Sequence, residues 1–236
     1  MSPAQGVKPQ IHRTEAERAG RVVILNGAPR SGKSSIVRAM QETFDTPWIN
    51  LGVDVHVREM TPARYQPGIG LRPGGERPDL EPLIPVLFAA LYDSIAAHSR
   101  LGLNVVVDVG HHDAHSTPGD ILGDCARRLS GVPALLVGVR CPIDVIMARR
   151  RQGQAGREGL YVTAPHTDPT PAPVLAWQRE VHRPGLYDLE VDTSSASPEQ
   201  CAAIILHCLR ETDGRGTALP RLASGVHQQI TDQINS

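Results

Sequence analysis

The fold of this chain is decided by the stretch Arg21-Val22-Val23-Ile24-Leu25-Asn26-Gly27-Ala28-Pro29-Arg30-Ser31-Gly32-Lys33-Ser34. Its first half is an apolar run typical of a buried strand, and its second half matches the pattern G-x-x-x-x-G-K-[ST] at every specified position. When such a pattern lies between a strand and a helix, its backbone N–H groups converge on phosphate oxygens, which makes a chance glycine-rich turn a poor explanation. The stretch therefore predicts a phosphate-binding loop at the start of the first helix.

The residues of this loop have separate expected roles. Gly27 and Gly32 allow tight turns, and Lys33 places a positive charge at the β and γ phosphates. Ser34 offers a hydroxyl to Mg²⁺, so ATP and Mg²⁺ are the expected ligands. The residues expected to contact the nucleotide are consecutive in the chain: Gly27, Ala28, Pro29, Arg30, Ser31, Gly32, Lys33, Ser34 and Ser35.

Length and composition exclude several classes of protein. The 236 residues are enough for one sizeable hydrophobic core. The chain has 24 Lys and Arg against 25 Asp and Glu and only 3% aromatic residues, so it lacks both the excess of positive charge and the stacking side chains that indicate a nucleic-acid partner. The four cysteines form no C-x-x-C pair, which predicts reduced and mostly buried thiols. We find no signal peptide and no apolar segment long enough for a membrane, so we expect a soluble, cytoplasmic protein. The sequence does not decide the oligomeric state, and it allows a homo-oligomer.

Apolar runs alternate with segments of helical periodicity along the chain. The candidate strands are residues 21–26, 48–53, 103–108, 134–139 and 187–192, and the candidate helices are residues 34–44, 83–100, 120–129, 142–151 and 197–209. This alternation predicts an α/β fold, a doubly wound five-stranded parallel sheet with helices on both faces. Ligands of such sheets bind at the carboxyl ends of the strands.

The chain organisation predicted from these elements is a single domain with two extensions. We expect a flexible leader at 1–20, one domain at 21–210 and a C-terminal tail at 211–236. Within the domain, residues 61–82 are rich in proline and glycine and predict an irregular loop. Because both flanks of this loop belong to the core, it is expected to bind substrate rather than to act as a linker.

Two aspartates follow or end predicted strands and are candidate site residues. Asp54 is expected to face the γ phosphate, where it could accept the proton of an attacking hydroxyl; capping the next helix is an equally weighted alternative. Asp108 ends an apolar strand, which is typical of a carboxylate that holds Mg²⁺ directly or through water. The alternative for Asp108 is a buried carboxylate hydrogen-bonded to the phosphate loop.

Two further clusters consist of residue types that commonly bind ligands, namely arginines in one and histidines in the other. The arginines Arg149, Arg150, Arg151 and Arg157 flank glycines 153 and 156, which predicts a lid at about 149–160 that closes on phosphates. A solvated basic helix end is the alternative. The segment 111–115 holds three histidines and an aspartate, but its loop context favours a substrate-contacting or merely polar loop over a metal site.

Several separated blocks of the chain closely resemble the chloramphenicol phosphotransferases. The blocks are 24–38 around the phosphate loop, Pro47-Trp48, Gly52-Val53-Asp54, Val137-Gly138-Val139-Arg140-Cys141, and His182 with Tyr187-Asp188-Leu189-Glu190-Val191-Asp192-Thr193. They occur in order from about residue 22 to 210. The resemblance implies a P-loop kinase fold that transfers the γ phosphate of ATP to the primary hydroxyl of the antibiotic and inactivates it.

The resemblance also assigns roles to individual residues. It implies that Asp54 is the catalytic base, that Arg149 corresponds to the first family arginine, and that Arg157 corresponds to a later one if one residue is inserted. Where the family tends to have a second acidic residue after the strand-three aspartate, this chain has Val109-Gly110-His111-His112. An insert at 160–173, the proline-rich loop and both termini differ as well, so the identity of the acceptor stays open.

Two other functions remain as alternatives at this point. One is a P-loop kinase of a different small acceptor, such as a nucleoside, a sugar or another antibiotic. The other is a nucleotide-dependent switch that transfers no phosphoryl group. ADP release with and without hydroxyl compounds distinguishes the switch from the kinases.

Overall fold

The computed structural model describes residues 19–74, 77–116, 119–153 and 169–225. The strands are β1 (Val22–Asn26), β2 (Trp48–Asn50), β3 (Asn104–Val109), β4 (Ala134–Arg140) and β5 (Leu189–Asp192). The α-helices are α1 (Lys33–Thr43), α2 (Val53–Val55), α3 (Ile84–Arg100), α4 (Ile121–Arg128), α5 (Ile143–Arg151), α6 (Ala172–Glu180), α7 (Pro198–Glu211) and α8 (Ala218–Ala223). Between α2 and α3 the chain forms a π-helical turn, His56–Met60, and the 3-10 turns Ala63–Tyr65, Gly68–Gly70 and Glu81–Leu83.

The five strands form one parallel sheet in the order β2-β3-β1-β4-β5. Strand β1 is central, with Val22 opposite both Val105 of β3 and Ala134 of β4. After β1 the chain crosses to the edge strand β2 and returns to β3, and it then passes to β4 and β5 on the other side of β1. The phosphate loop that follows β1 therefore lies in the crevice where the strand order reverses. The predicted doubly wound sheet is confirmed.

Helices cover both faces of the sheet because alternate residues of β1 point to opposite sides. Val22 and Ile24 are buried in a cluster with residues of α3, α4 and α8, whereas Val23 and Leu25 are buried in a cluster with residues of α1 and α7. All four cysteines are free, and three of them are buried, as predicted. A smaller cluster joins α5 and α6 behind the phosphate loop.

One predicted boundary is wrong. Strand β2 ends at Asn50 rather than at residue 53, because the Asn50 side chain accepts a hydrogen bond from the Gly52 backbone N–H at 2.8 Å and turns the chain. Asp54 consequently lies in helix α2 and not at the end of a strand. The tail predicted from residue 211 contains α8, whose residues Leu219 and Leu222 are buried in the core.

One helical stretch, Glu81–Arg100, is long and apolar enough to span a membrane by length and composition alone, a property that the sequence reading missed. Core helices of globular proteins pass the same test. Within it, helix α3 buries Phe88, Leu91 and Ile95 against the sheet. The stretch thus serves as a core helix in this fold.

The N-terminal cap of helix α7 is expected to contribute to the stability of the protein. Ser197 and Gln200 form a capping box, in which the Ser197 hydroxyl accepts from the Gln200 N–H at 3.2 Å and the Gln200 side chain accepts from the Ser197 N–H at 2.8 Å. Ser197→Ala is expected to lower the free energy of unfolding by about 1 kcal/mol. Urea unfolding checks this value, with Ser130→Ala at an exposed position as the control. Equal stability of the two variants would contradict the assigned cap.

Candidate active site

The phosphate loop has a left-handed backbone conformation at two positions, one of which is a glycine. Gly32 has φ = 100°, and Arg30 has φ = 73°, so the loop makes two left-handed steps before α1 begins at Lys33. At Gly27 a Cβ atom would lie 2.6 Å from the Val139 carbonyl oxygen. The sheet therefore holds the loop too closely for any larger residue at position 27.

Lys33 lies over its own loop. Its Nζ donates hydrogen bonds to the carbonyl oxygens of Gly27 at 2.6 Å and Ala28 at 2.9 Å. Both carbonyls belong to the loop that the sequence assigns to phosphate binding. The ammonium group is thus fixed at the mouth of the loop, in the position expected of a cation for the β and γ phosphates.

Ser34 and Asp108 form a pair of oxygen donors beside the loop. The Ser34 hydroxyl donates to the Asp108 carboxylate at 2.7 Å, and Asp108 is buried near the end of β3. A hydroxyl next to a carboxylate at a phosphate site is the donor set that Mg²⁺ prefers. This geometry agrees with both interpretations of Asp108, since the carboxylate is hydrogen-bonded to the phosphate loop and is also suited to hold Mg²⁺.

Asp54 and the phosphate loop line the same cleft. The cleft has a volume of about 460 Å³ and is lined by loop residues, including Lys33 and Ser34, and by Asp54 in α2. The N-cap of α2 is Gly52, with no side-chain cap hydrogen bond, so Asp54 is not the capping residue of this helix. The N-cap alternative for Asp54 is therefore excluded.

The backbone at Gly52 lies against the Asp108 carboxylate, two residues before Asp54. A Cβ atom at Gly52 would lie 1.7 Å from Asp108 Oδ1, so the Asp108 carboxylate touches the backbone two residues before Asp54. Close approach at a glycine fixes where α2 begins relative to the loop. Sequence reasoning used the Gly-Val-Asp block only for its aspartate and missed this contact.

A substitution at Gly52 tests that contact. Gly52→Ala forces either the Asp108 carboxylate or the start of α2 to move, and we expect kcat to fall by ~10-fold, because small displacements of reacting groups are costly. Phosphorylation kinetics of the variant, together with its thermal unfolding, check the result. Wild-type kcat in a folded Gly52→Ala protein would show that the contact does not position the site.

Arg149 is already fixed beside the loop in this structure. Its guanidinium donates to the Thr193 carbonyl oxygen at 2.7 Å, to Thr193 Oγ1 at 3.1 Å and to the Arg30 carbonyl oxygen at 3.3 Å. Arg30 in turn donates to the carbonyl oxygens of Arg149 and Gly153. These bonds join the end of α5 to the phosphate loop. Arg157 lies outside the described residues, so the lid at 149–160 stays a prediction.

Comparison with known proteins agrees with this geometry. The profile of chloramphenicol phosphotransferase-like proteins matches residues 20–210. The chain belongs to this family. Two Mycobacterium tuberculosis proteins, from strains CDC 1551 and H37Rv, are each provisionally named O-phosphotransferase and are 26% identical to it over 196 residues, which is 78% of this chain and 79% of each relative.

Solved structures of kinases share the fold of this chloramphenicol phosphotransferase-like protein. A sugar kinase from Janibacter sp. has a TM-score of 0.52 at 17% identity, over 84% of this chain and 99% of the kinase. The APS kinase of M. tuberculosis, in complex with AMPPNP and APS, has a TM-score of 0.51 at 16% identity, over 82% and 99% of the two chains. The shikimate kinase of Acinetobacter baumannii, in complex with shikimate, has a TM-score of 0.50 at 11% identity, over 84% and 97%. The predicted P-loop kinase fold is confirmed, and with the family it makes the protein an O-phosphotransferase.

Thr193 is a site residue whose role the sequence did not predict. Its hydroxyl donates to the Ser31 carbonyl oxygen at 2.6 Å, and its side chain lies 3.2 Å from where a Cβ of Gly32 would be. Thr193 follows the last residue of β5 directly. In this phosphotransferase it therefore connects the outer strand, the loop and Arg149. A threonine after a strand is too common a signal to predict that contact.

Asn26, the last residue of β1, is a second residue that was missed. Its side chain accepts from the His111 N–H at 2.8 Å and donates to the Val181 carbonyl oxygen at 2.7 Å and to Tyr187 Oη at 3.0 Å. The Tyr187 hydroxyl is also 2.8 Å from His182 Nδ1. Burial, followed by the charges of Arg140 and Lys33, lowers the pKa of His182 to about 4, so this network is uncharged at neutral pH.

Two side chains of the histidine segment, those of His111 and His112, are buried and uncharged at neutral pH. Burial, followed by the charge of His112, lowers the pKa of His111 to about 3, and burial lowers that of His112 to about 4. His112 is 2.9 Å from the Leu71 carbonyl oxygen and packs edge-on against Trp177, which lines the cleft. Across the described ranges, no group of three or more His, Cys, Asp or Glu residues is arranged for a metal ion. The segment supports the cleft wall.

Proposed function

We propose that the protein transfers the γ phosphate of ATP to a hydroxyl of a small, uncharged acceptor, with chloramphenicol or a chemically related antibiotic as the leading candidate. The reaction uses Mg²⁺, takes place in the cytoplasm and inactivates the antibiotic. The observation that carries this proposal is that the phosphate loop and Asp54 line one and the same cleft. A carboxylate in the cleft of a phosphate loop suits the deprotonation of an attacking hydroxyl.

The residues of the cleft divide the reaction between them. The loop N–H groups and Lys33 hold the β and γ phosphates of ATP, and Ser34 and Asp108 are the residues that would hold the metal. Mg²⁺ held by these residues would neutralise phosphate charge. Asp54 accepts the proton of the acceptor hydroxyl as its oxygen attacks phosphorus, and Arg149 lies where it can stabilise charge on the transferring group.

The acceptor half of the cleft indicates the kind of molecule that it takes. Outside the phosphate loop, the apolar and glycine residues that line the cleft include Val53, Ile69, Gly70, Val109, Gly110 and Trp177. Such walls favour an uncharged acceptor with an apolar body, since a charged group would lose its hydration without an ionic partner. An antibiotic such as chloramphenicol meets this requirement.

The experiment that tests the acceptor is direct phosphorylation. The protein is incubated with ATP, Mg²⁺ and chloramphenicol, and the product is identified by mass spectrometry and ³¹P NMR. We expect one phosphoryl group on the primary hydroxyl, and no product from chloramphenicol acetylated at that hydroxyl. Phosphorylation of a nucleoside or a sugar but not of chloramphenicol would contradict the proposed acceptor. ADP release that no hydroxyl compound stimulates would contradict phosphoryl transfer itself and favour the switch.

A further inference from the structure

A second cavity lies on the other side of the wall that carries Asp54. It has a volume of about 680 Å³ and is bounded by the π-helical turn His56–Met60, the turn Glu81–Leu83 and the first half of α3. Within the described part of the chain, it shares no lining residue with the catalytic cleft. Most of its lining side chains are apolar, Leu80 and Leu87 among them.

His56 brings a hydrogen-bonding imidazole to this cavity. The residue is only 6% exposed, and its side chain lines the cavity. None of the described residues forms a hydrogen bond with its imidazole, whereas its backbone carbonyl accepts from both the N–H and the hydroxyl of Thr61 at 3.0 Å. Its ring nitrogens are open to the cavity, so they can hydrogen-bond with a small molecule that enters it.

Helix geometry explains why the two sides of this wall differ. At ~3.6 residues per turn, side chains two positions apart point in nearly opposite directions. The backbone stays helical across this point, since the His56 N–H donates to the Gly52 carbonyl oxygen at 3.1 Å. Asp54 therefore lines the catalytic cleft and His56 lines the second cavity. The π-helical turn that begins at His56 belongs to a class of irregularity frequent at functional sites.

Charge and size define the class of molecule that fits. Burial lowers the pKa of His56, so its imidazole is neutral and offers one donor and one acceptor. The nearby Asp79 carboxylate is occupied by two hydrogen bonds from Arg77, at 2.9 Å and 2.8 Å. A cavity of this size lies within the range of small-molecule sites, roughly 300–1,000 Å³. Neither a cation nor an anion finds an unoccupied partner of opposite charge among the described lining residues.

We propose that this cavity is a second ligand site, which binds an uncharged, largely apolar small molecule through a hydrogen bond between its hydroxyl or carbonyl group and the His56 imidazole. The site lies on the back of the helix that carries Asp54, outside the cleft where acceptor and nucleotide bind. Its occupant therefore contacts the enzyme without entering the catalytic cleft.

The test uses 2-naphthol as the probe and the His56 imidazole as the reporter. The full chain is labelled with ¹⁵N-histidine, saturated with AMPPNP and Mg²⁺, and titrated with 2-naphthol while imidazole ¹H–¹⁵N correlations are recorded. The His56 signals are identified by their loss in His56→Gln. We expect a saturable shift of these signals with 2-naphthol, and no shift with the charged analogue 2-naphthoate at the same concentrations.

Variants that fill the cavity make the test specific. Leu87→Trp and the more exposed Ala90→Phe occupy the space, and each is expected to weaken 2-naphthol binding by ~10-fold or more. Ile204→Trp, at an exposed position of α7, is expected to bind as the wild type does. The proposal is overturned if the His56 signals do not move up to the solubility limit of the probe, or if a folded cavity-filling variant binds 2-naphthol normally. Because the readout needs no turnover, it is independent of the proposed phosphorylation.

Discussion

Lys33→Ala is expected to lower kcat/KM for ATP-dependent phosphorylation by ~10³-fold or more, since fixed positive charge at the transferring phosphate supplies several kcal/mol of stabilisation. The chain has two lysines, Lys8 and Lys33, and Lys33 is the one in the phosphate loop. Its Nζ is held 2.6 Å from the Gly27 carbonyl oxygen, so its removal deletes a positioned charge. Folding is expected to survive, because this ammonium faces the mouth of the cleft rather than the apolar core.

The measurement is steady-state kinetics with ATP as the varied substrate, together with thermal unfolding of the same preparation. Lys8→Ala, which removes the other lysine, is the matched control and should retain wild-type turnover. Near-wild-type turnover in a folded Lys33→Ala protein would contradict the assignment of the nucleotide site. A loss of activity with a loss of cooperative unfolding would instead call for Lys33→Met, which keeps the length of the side chain without its charge.

Asp54→Asn is expected to lower the rate of acceptor phosphorylation by ~10²-fold or more and to leave ATP affinity close to that of the wild type. Asparagine keeps the size and most of the hydrogen-bonding capacity of aspartate but cannot take up a proton as a base. Because the N-cap of α2 is Gly52, the substitution removes no helix cap. A loss confined to the chemical step therefore reports on basicity at this position.

ATP binding and product formation should be measured on one preparation of the Asp54→Asn variant. Asp45→Asn, at an exposed position before β2, supplies a control for the same chemical change outside the cleft. Unchanged product formation by Asp54→Asn would remove Asp54 from the reaction and leave the base unassigned. Weakened ATP binding with normal single-turnover chemistry would equally contradict its role as the base.

The sheet and its phosphate loop were predictable because their determinants are local. The strand from Val22 to Asn26 is a continuous apolar run, and both its neighbours in the sheet are as well, so periodicity located the buried strands within a few residues. The capping box at Ser197 and Gln200 is likewise a signal contained in four consecutive residues. Local signals of this kind require no knowledge of which elements meet.

The rest of the site depends on contacts between distant parts of the chain. The hydroxyl of Thr193 meets the carbonyl of Ser31, 162 residues earlier, and Asn26 meets residues of three other segments. No spacing rule in one sequence predicts such pairs. The end of β2 was misplaced for a different reason, because the Asn50 side chain turns the chain inside a run that is otherwise apolar. As a result, Asp54 was assigned to the end of a strand, whereas it lies in helix α2.

In the proposed reaction, this cleft moves a phosphoryl group from ATP to an organic hydroxyl with the help of Asp54. Transfer is followed directly by the label of [γ-³²P]ATP in the presence of Mg²⁺ and a panel of antibiotics, nucleosides and sugars, for the wild type and for Asp54→Asn. We expect a labelled phosphate ester of at least one uncharged acceptor, formed by the wild type and reduced ~10²-fold or more in the variant. Label found only in ATP and inorganic phosphate across the whole panel, or equal ester formation by both proteins, would contradict it.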